Sequence, residues 1–428
     1  MISEKLLEYI KDGKLNDKLL DVYHDSDQLK TQAKRYSDSV AAFMGYFPDN
    51  EDLSVFSAPG RTEVGGNHTD HQHGHVLAAS INLDAIAVAS KNSSDLVNIK
   101  SEGYDLITLN INELSKSATE EGTTLALVKG VIAGCRNKGY QIGGFNAYIT
   151  SDVIGGSGLS SSAAFETLIG CIISGLYNDM SIDAVTNACI GQYAENHYFG
   201  KPCGLMDQMA CSVGSLSHID FNAPDSEPVI ERIDFDLDKA GYSLCITDTK
   251  GSHADLTDDY AAVPKEMKQL AGYFGKDYLI DVDEDTVIKN IPELRKQLGD
   301  RAVLRALHFY EENKRVIGET EALKTGNISD FLHLVKASGD SSYKYLQNVY
   351  TTHDTEHQNI SIALCISQMI LGEDGGVCRV HGGGFAGTIQ AFVKKKRVNE
   401  YKKALDSIFG ENACAVLRIR KYGGVQVI

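Results

Sequence analysis

The chain has 428 residues, of which 43% are hydrophobic and 23% are charged, and its formal net charge is −17. The length predicts two domains or one large one, and the composition is that of an ordinary globular protein. The strong negative charge argues against a nucleic-acid or anionic-membrane partner.

Cysteine content and the apolar segments bear on cellular location. Nine cysteines are scattered through the chain with no C-x-x-C pair, a pattern typical of reduced thiols in the cytosol. Residues 1–20 mix acids, lysines and apolar residues at helical spacing, unlike a signal peptide. No run of 18 apolar residues occurs, so we expect no membrane span and a cytoplasmic protein.

Hydrophobic periodicity predicts the secondary structure, and the pattern changes past about residue 215. Helices are predicted at 1 to about 46, 125–138, 163–177, 182–198, 254–271, 304–318, 328–346 and 398–409. Strands are predicted at 55–58, 76–79, 85–89, 97–99, 106–109, 145–150, 216–221, 242–248, 388–393 and 415–419.

Residues 59–75 contain four glycines, four histidines and few apolar residues, which predicts a binding loop. The four histidines suggest a metal site, but zinc usually takes ligands from distant segments or from one helical face. The alternative is sugar recognition. His68 and Asp70 can donate and accept several hydrogen bonds to vicinal hydroxyls.

Residues 151–166 lie between a predicted strand and a predicted helix and are rich in glycine and serine. Glycines permit positive φ and close approach to a ligand, and the free N–H groups of a helix start bind anions. Ser160, Ser161 and Ser162 add hydroxyls for phosphate oxygens or a hydrated Mg²⁺. The stretch predicts a phosphate cradle, although serine caps on a flexible turn are the simpler alternative.

Asp207 is the one carboxylate in an otherwise apolar turn that begins with glycine. A carboxylate in such surroundings is either buried and paired or functional. The segment by itself favours neither alternative.

Four segments in this order resemble motifs of the GHMP small-molecule kinases, and most closely those of the galactokinase family. Residues 58–70 resemble the signature G-R-x-N-[LI]-I-G-E-H-T-D-Y, and residues 158–164 resemble the family's phosphate loop. Residues 194–195 and 203–208 resemble A-E…C-G-I-M-D-Q, and residues 381–387 resemble the C-terminal glycine motif. A further segment, from Thr249 to Tyr260, is similar to the family's N-V-K-H…S-E-Y-N.

The resemblance implies an α+β fold of two domains, 1–215 and 216–428, with the active site in the cleft between them. It implies phosphorylation of a sugar's anomeric hydroxyl, with ATP and Mg²⁺ as cofactors. A sugar and ATP are the implied partners, and no obligate protein partner is implied.

The resemblance also assigns roles to individual residues. Asp207 and Arg61 would be catalytic, because a carboxylate can take the hydroxyl's proton and a guanidinium keeps that carboxylate ionised. The sugar would be bound by Asn67, His68, Asp70, Gly204 and Tyr260. The phosphates of ATP would be bound by Gly156, Ser157, Gly158, Leu159, Ser160, Ser161 and Ser162. Ser162 and Glu195 would hold Mg²⁺.

Departures from the family pattern leave alternative substrates open. Asn67 replaces the glutamate that usually bonds the sugar's 6-hydroxyl, and His71 replaces a tyrosine. A neutral amide would accept a C6 carboxylate that a glutamate repels, so galacturonate or another galactose-like sugar is an alternative to galactose. A non-catalytic sugar and ATP sensor is a further alternative, which the whole serine–alanine run of the phosphate loop argues against.

Overall fold

The computed structural model describes residues 1–153, 158–222, 228–251 and 256–428. These ranges contain thirteen α-helices and twelve β-strands. The helices are α1 (Ser3–Lys11), α2 (Asn16–Tyr23), α3 (Leu29–Tyr46), α4 (Thr124–Asn137), α5 (Ser161–Tyr177), α6 (Ala184–Ala194), α7 (Met206–Val213), α8 (Thr257–Tyr273), α9 (Glu284–Leu298), α10 (Asp300–Lys324), α11 (Ile328–Ser341), α12 (Asn359–Leu371) and α13 (Val398–Phe409). The strands are β1 (Ser54–Gly65), β2 (His75–Lys91), β3 (Leu96–Ser101), β4 (Leu106–Asn110), β5 (Phe145–Ser151), β6 (Leu216–Asp220), β7 (Val229–Ile233), β8 (Tyr242–Asp248), β9 (Gly376–Val380), β10 (Thr388–Lys394), β11 (Cys414–Leu417) and β12 (Val425–Gln426).

The strands form two sheets. The first has the order β12-β1-β2-β5-β3-β4, and β6 pairs with β2 while β7 pairs with β6. All of its pairs are antiparallel except β3 with β5. The second sheet has the order β11-β8-β10-β9 and is antiparallel throughout. Helices cover both sheets, which makes the protein α+β as predicted.

Strand β2 shows how the first sheet is buried on both faces. Ala85, Ala87 and Ala89 face a core shared with α4 and α5, whereas Ile86 and Val88 face a core shared with α1, α2 and α3. This alternation is the period of two that a strand imposes on its side chains. The N-terminal helices are therefore packing elements on the face opposite α4 and α5.

One core cluster joins the two sheets. Leu77 of β2 lies in the same buried cluster as Ile246 of β8 and Phe392 of β10, together with Val335 of α11. The other face of the second sheet packs on α12 and α13 through residues such as Ile389. The two sheets thus share one hydrophobic core, which also contains Leu159 of the glycine–serine stretch.

The structure corrects the prediction that a loop begins at residue 59. Strand β1 continues through Gly65, and its residues from Val55 to Gly65 are all buried. Gly60 and Gly65 serve close packing there. A Cβ on Gly60 would lie 2.8 Å from the Leu159 carbonyl oxygen, and one on Gly65 would lie 2.0 Å from Oε2 of Glu319.

Most of the other predicted elements are present with boundaries shifted by a few residues. The sequence analysis missed α7, α9, α12, β7, β9 and β12. The start of the helix predicted at 254–271 lies outside the described residues, and α8 begins at Thr257. The domain division at residue 215 stays a prediction, and strands on both sides of that position belong to the first sheet.

A buried ion cluster fastens the N-terminal helices and the C-terminal segment to β2. Asp84 accepts hydrogen bonds from Arg35 at 2.6 Å, Arg420 at 2.9 Å and the Tyr23 hydroxyl at 2.7 Å, and it also bonds Ser57. Burial alone would raise the pKa of Asp84, but the two guanidinium groups hold it below its usual 3.8. The carboxylate is therefore charged in the folded protein at neutral pH.

We predict that Asp84→Asn lowers the free energy of unfolding by about 3–5 kcal/mol, because it leaves the buried Arg420 guanidinium without its anion and leaves Arg35 with only the partly exposed Asp152. Urea denaturation measures this change. The control Asp152→Asn removes a partly exposed partner of Arg35 and should cost at most about 1 kcal/mol. The contribution of ionised Asp84 to the free energy of unfolding is fully present above the pKa of about 3.9 in the unfolded chain. It is lost as the pH falls through the lowered pKa of Asp84 in the folded protein. Equal small losses for both variants would contradict the prediction.

Candidate active site

Arg61 and Asp207 form an ion pair at the centre of the site. Arg61 lies on β1 and Asp207 in the first turn of α7, and Nε of Arg61 lies 2.7 Å from Oδ1 of Asp207. The arginine side chain is 7% exposed and the aspartate side chain 34%. The carboxylate therefore keeps an accessible face on which a reacting hydroxyl can lie.

Asp207 is held in its charged form. Burial opposes ionisation, but the charge and hydrogen bond of Arg61 and the hydroxyl of Ser160 outweigh it and lower the pKa of Asp207 below 3.8. The helix N-terminus also favours a negative charge at this position. A permanent carboxylate beside a fixed guanidinium can orient a hydroxyl and receive its proton.

The described part of the phosphate loop lies against this pair. The Arg61 guanidinium donates to the Gly158 carbonyl at 2.5 Å, and the backbone N–H of Arg61 donates to the Leu159 carbonyl at 3.1 Å. Gly158 and Ser160 have φ of +70° and +56°, and helix α5 begins at Ser161. The predicted helix start is confirmed, whereas Gly156 and Ser157 lie outside the described residues.

Ser162 and Glu195, the two residues predicted to hold Mg²⁺, lie side by side. The Ser162 hydroxyl lies 3.4 Å from Oε1 of Glu195, which also pairs with Lys201 at 3.1 Å. Oε2 of Glu195 accepts from Gln208, which also reaches the buried Glu166. Oε1 of Glu166 is buried and has no partner among the described residues. These oxygen donors are of the type that Mg²⁺ takes.

No group of three or more histidine, cysteine, aspartate or glutamate residues suited to a metal ion occurs in the described part of the chain. Of the four loop histidines, His68 and His71 lie 3.3 Å apart through their ring nitrogens. His75 instead contacts His218 on β6 at 3.1 Å, and His73 stacks on Tyr278. The four histidines therefore face different partners.

Asp70 and Gly204, which the family resemblance assigns to the sugar, are in close contact. A Cβ on Gly204 would lie 1.8 Å from Oδ2 of Asp70. Burial raises the pKa of Asp70, and the charge of Asp207 acts in the same direction. The charges of the two aspartates thus lie close enough to interact.

His68 and Tyr260 both bond the turn at residues 382–384. Nε2 of His68 lies 3.0 Å from the Gly383 carbonyl, so it carries the proton, and the Tyr260 hydroxyl donates to the Gly384 carbonyl at 2.5 Å. Burial lowers the pKa of His68 to about 4 and raises that of Tyr260 to about 12. Both side chains are neutral at pH 7.

Asn67 is placed differently from the prediction. Its side chain is fully buried and donates to Oε1 of Glu63 at 2.9 Å and to the Gly382 carbonyl at 2.7 Å. Its Oδ1 accepts from Asn348 at 2.8 Å and from Ser342 at 3.2 Å. An amide has two donors and two acceptor positions, and protein groups occupy all four. This arrangement leaves no group of the Asn67 amide for a sugar hydroxyl.

The C-terminal glycine motif belongs to the site and is more than the tight turn that it suggests in isolation. His381 contacts Thr62 of β1 at 3.1 Å through Nε2 and Thr388 at 2.9 Å through Nδ1. A Cβ on Gly158 would lie 2.6 Å from Oγ1 of Thr388, so the turn also abuts the phosphate loop.

Sequence reasoning missed the buried charged residues that pack behind the loop at residues 66–74. Arg379 on β9 pairs with Glu63 at 3.0 Å and donates to the Val64 carbonyl at 2.6 Å. Glu312 on α10 accepts from the Gly66 N–H at 3.1 Å and pairs, through its other oxygen, with Arg315. One signal was available: the family signature has asparagine where this chain has Glu63.

Comparisons with known proteins identify the class. Residues 41–91 match the galactokinase galactose-binding signature, and residues 126–215 match the N-terminal domain of GHMP kinases. A mevalonate kinase of Methanococcus jannaschii shares the fold, with a TM-score of 0.61 at 17% identity, covering 86% of this chain and 98% of that one. The fold and the site thus define a GHMP kinase.

Curated relatives identify the family within this class of kinases. A galactokinase of Limosilactobacillus fermentum is 30% identical over 88% of this chain and 93% of its own length, and one of Lactobacillus helveticus is 31% identical over 83% and 89%. The chain belongs to the galactokinase family. A galactokinase of Lactococcus lactis, solved with galactose, has the same fold, with a TM-score of 0.76 at 24% identity over 90% of this chain and 98% of that one.

Among the described residues, no helix combines the length and the apolar character needed to cross a membrane. Eight cysteines are free thiols, those at positions 135, 171, 203, 211, 245, 365, 378 and 414. The cytoplasmic location stays a prediction.

Proposed function

We propose that the protein transfers the γ-phosphoryl group of ATP to the C1 hydroxyl of galactose. The observation that carries this proposal is the Arg61–Asp207 pair, which lies between the phosphate loop and the sugar loop (residues 66–74) and presents a partly accessible carboxylate. The galactokinase relatives at about 30% identity support the choice of sugar.

In the proposed reaction, the C1 oxygen forms a bond to the γ-phosphorus while the bond from that phosphorus to the β,γ-bridging oxygen breaks. The hydroxyl proton passes to Asp207, and ADP leaves. Because the pKa of Asp207 is lowered, it is a weak base. It therefore chiefly orients the hydroxyl and takes the proton as the new bond forms, while Arg61 offsets charge on the transferring group.

We assign ATP phosphate binding to the loop residues 156–162 and the metal to Ser162 and Glu195. Bound Mg²⁺ would neutralise charge on the β- and γ-phosphate oxygens. Ser162 and Glu195 would supply two oxygen ligands of the kind that Mg²⁺ takes. Lys201 pairs with Glu195 and so places a positive charge beside the proposed metal ligands.

We assign sugar binding to His68, Asp70, Gly204 and Tyr260. Asp70 accepts from sugar hydroxyls, and Gly204 leaves the space that its carboxylate needs. His68 and Tyr260 line the site and are fixed by the glycine turn.

We predict that Gly204→Ala raises KM for galactose roughly tenfold with a smaller effect on kcat, because the new methyl group displaces the Asp70 carboxylate from the ground-state complex. Steady-state kinetics measure this split. The matched control is Gly45→Ala in α3, where a Cβ meets nothing within 4 Å and kinetics should not change. An unchanged KM for Gly204→Ala would argue against a sugar contact through Asp70.

ADP formation with galactose, N-acetylgalactosamine, galacturonate, glucuronate and arabinose tests the proposed function. A profile led by galactose supports it. A profile led by galacturonate would assign the site to a uronic acid, and no turnover with any of these sugars would favour the sensor alternative.

A further inference from the structure

The turn at residues 382–384 is fixed by side chains from several elements. The Gly382 carbonyl accepts from Asn67, the Gly383 carbonyl from His68 and Asn348, and the Gly384 carbonyl from Tyr260. Gly382 and Gly384 have φ of +66° and +81°, a conformation suited to glycine. Two of these three carbonyls, those of Gly383 and Gly384, thus bond residues assigned to the sugar site.

Residue 67 joins this turn to the rest of the protein. Its side-chain amide donates hydrogen bonds to Glu63 of β1 and to the turn. The same amide accepts hydrogen bonds from Ser342, just after α11, and from Asn348. Its own backbone carbonyl lies 3.0 Å from Nε2 of His308 on α10. Side chain and backbone are both fixed, so residue 67 adopts one orientation.

Glu63 decides which way the amide faces. Oε1 of Glu63 accepts from both Asn67 and Arg379, so the donor end of the amide must point toward it. The opposite end must then accept from Asn348 and Ser342. A carboxylate at position 67 has no donor for Oε1 of Glu63 or for the Gly382 carbonyl, which explains why an amide stands here.

We propose that Asn67 is a positioning residue, which holds the glycine turn and with it His68 and Tyr260 in place, and that it makes no contact with the sugar's C6 substituent. The residue types at the two positions agree with this proposal. The family signature has asparagine at the position of Glu63 and glutamate at the position of Asn67, whereas this chain has the acid at 63, paired with Arg379, and the amide at 67. This inference rests on the proposed function and concerns the same site.

The test compares galactose with 6-deoxygalactose for wild type and Asn67→Asp. The variant has the same size but loses both donated hydrogen bonds. We expect kcat/KM to fall roughly tenfold to hundredfold for both sugars, by factors that agree within about twofold. Where 6-deoxygalactose turns over too slowly, its inhibition constant against galactose replaces kcat/KM. A loss confined to galactose would show that residue 67 binds the 6-hydroxyl and would overturn the proposal.

A double-mutant cycle adds a second readout. In Glu63→Gln with Asn67→Asp, the new amide at 63 can donate to the new carboxylate at 67, so one hydrogen bond forms again with its direction reversed. We expect the double variant to exceed the additive value of the single variants by roughly fivefold or more in kcat/KM. Additive losses would contradict a coupled positioning pair.

Two further variants keep the test decisive. Ser342→Ala removes one donor to Asn67 from outside the sugar loop and should lower kcat/KM by a few-fold, about equally for both sugars. The exposed Asn399→Asp on α13 introduces the same chemical change far from the site and should have no effect.

Wild-type protein that phosphorylates neither sugar contradicts the proposed function. The positioning role is then tested on the panel sugar that does react, against its 6-deoxy or C6-truncated counterpart.

Discussion

Asp207→Asn is expected to fold and bind ATP normally but to lose kcat by a factor of about 10²–10⁴, the range typical of a lost proton acceptor. The amide has nearly the shape of the carboxylate, yet it neither takes a proton nor balances the charge of Arg61 at 2.7 Å. Single-turnover measurement of ADP formation isolates the chemical step from product release.

The exposed Asp105→Asn serves as the matched control, because it makes the same chemical change away from the site and should leave kcat unaltered. A wild-type rate for Asp207→Asn would remove both the base role and the orienting role of this residue. Retained ATP binding, measured by calorimetry, shows that the variant's site is intact.

Arg61→Ala is expected to lower kcat by about 10²–10³, the loss associated with removing a preorganised group that stabilises developing charge. Its effect on sugar affinity should be smaller, because Arg61 bonds Asp207 and the Gly158 carbonyl and no residue assigned to the sugar. Kinetics over a range of galactose concentrations separate kcat from KM.

Arg61→Lys is the informative companion to this variant. It keeps a positive charge but cannot donate to Asp207 and to the Gly158 carbonyl at once with the geometry of a guanidinium. We expect a loss between those of wild type and Arg61→Ala. A raised KM with an unchanged kcat for Arg61→Ala would mean that the residue serves substrate binding alone.

Resemblance to short family motifs, together with the glycine and serine content of residues 151–166, predicted where the candidate site residues lie in the chain. The pairing of Arg61 with Asp207 and the start of α5 beside the phosphate loop both followed from such motifs, and the geometry agrees with them. The Asp207 segment by itself left a buried ion pair and a functional carboxylate equally open, so this pairing depended on the family resemblance.

Glycine itself misled the prediction of β1. Gly60 and Gly65 suggest a loop, but they occur where the strand passes the Leu159 carbonyl and the Glu319 carboxylate. The partners that require glycine lie about 100 and 250 residues away along the chain, so local sequence carries no sign of them. Close packing and turn formation both require glycine, so the sequence alone does not distinguish the two.

Asn67 shows a second limit. The motif fixes its place in the chain, whereas its side-chain direction depends on Glu63, Ser342 and Asn348 and on the turn at 382–384. The contacts with Ser342, Asn348 and the turn span more than 270 residues of sequence and arise only in the folded chain. A role assigned from the motif alone therefore missed that this amide faces the protein.

The position of the transferred phosphoryl group tests the central claim most directly. Protein incubated with galactose, ATP and Mg²⁺ yields a product whose phosphorus is examined by ³¹P–¹H correlation spectroscopy. We predict coupling of the phosphorus to the anomeric proton, as in galactose 1-phosphate. Coupling to the C6 protons, or the absence of any phosphorylated sugar, would contradict the account.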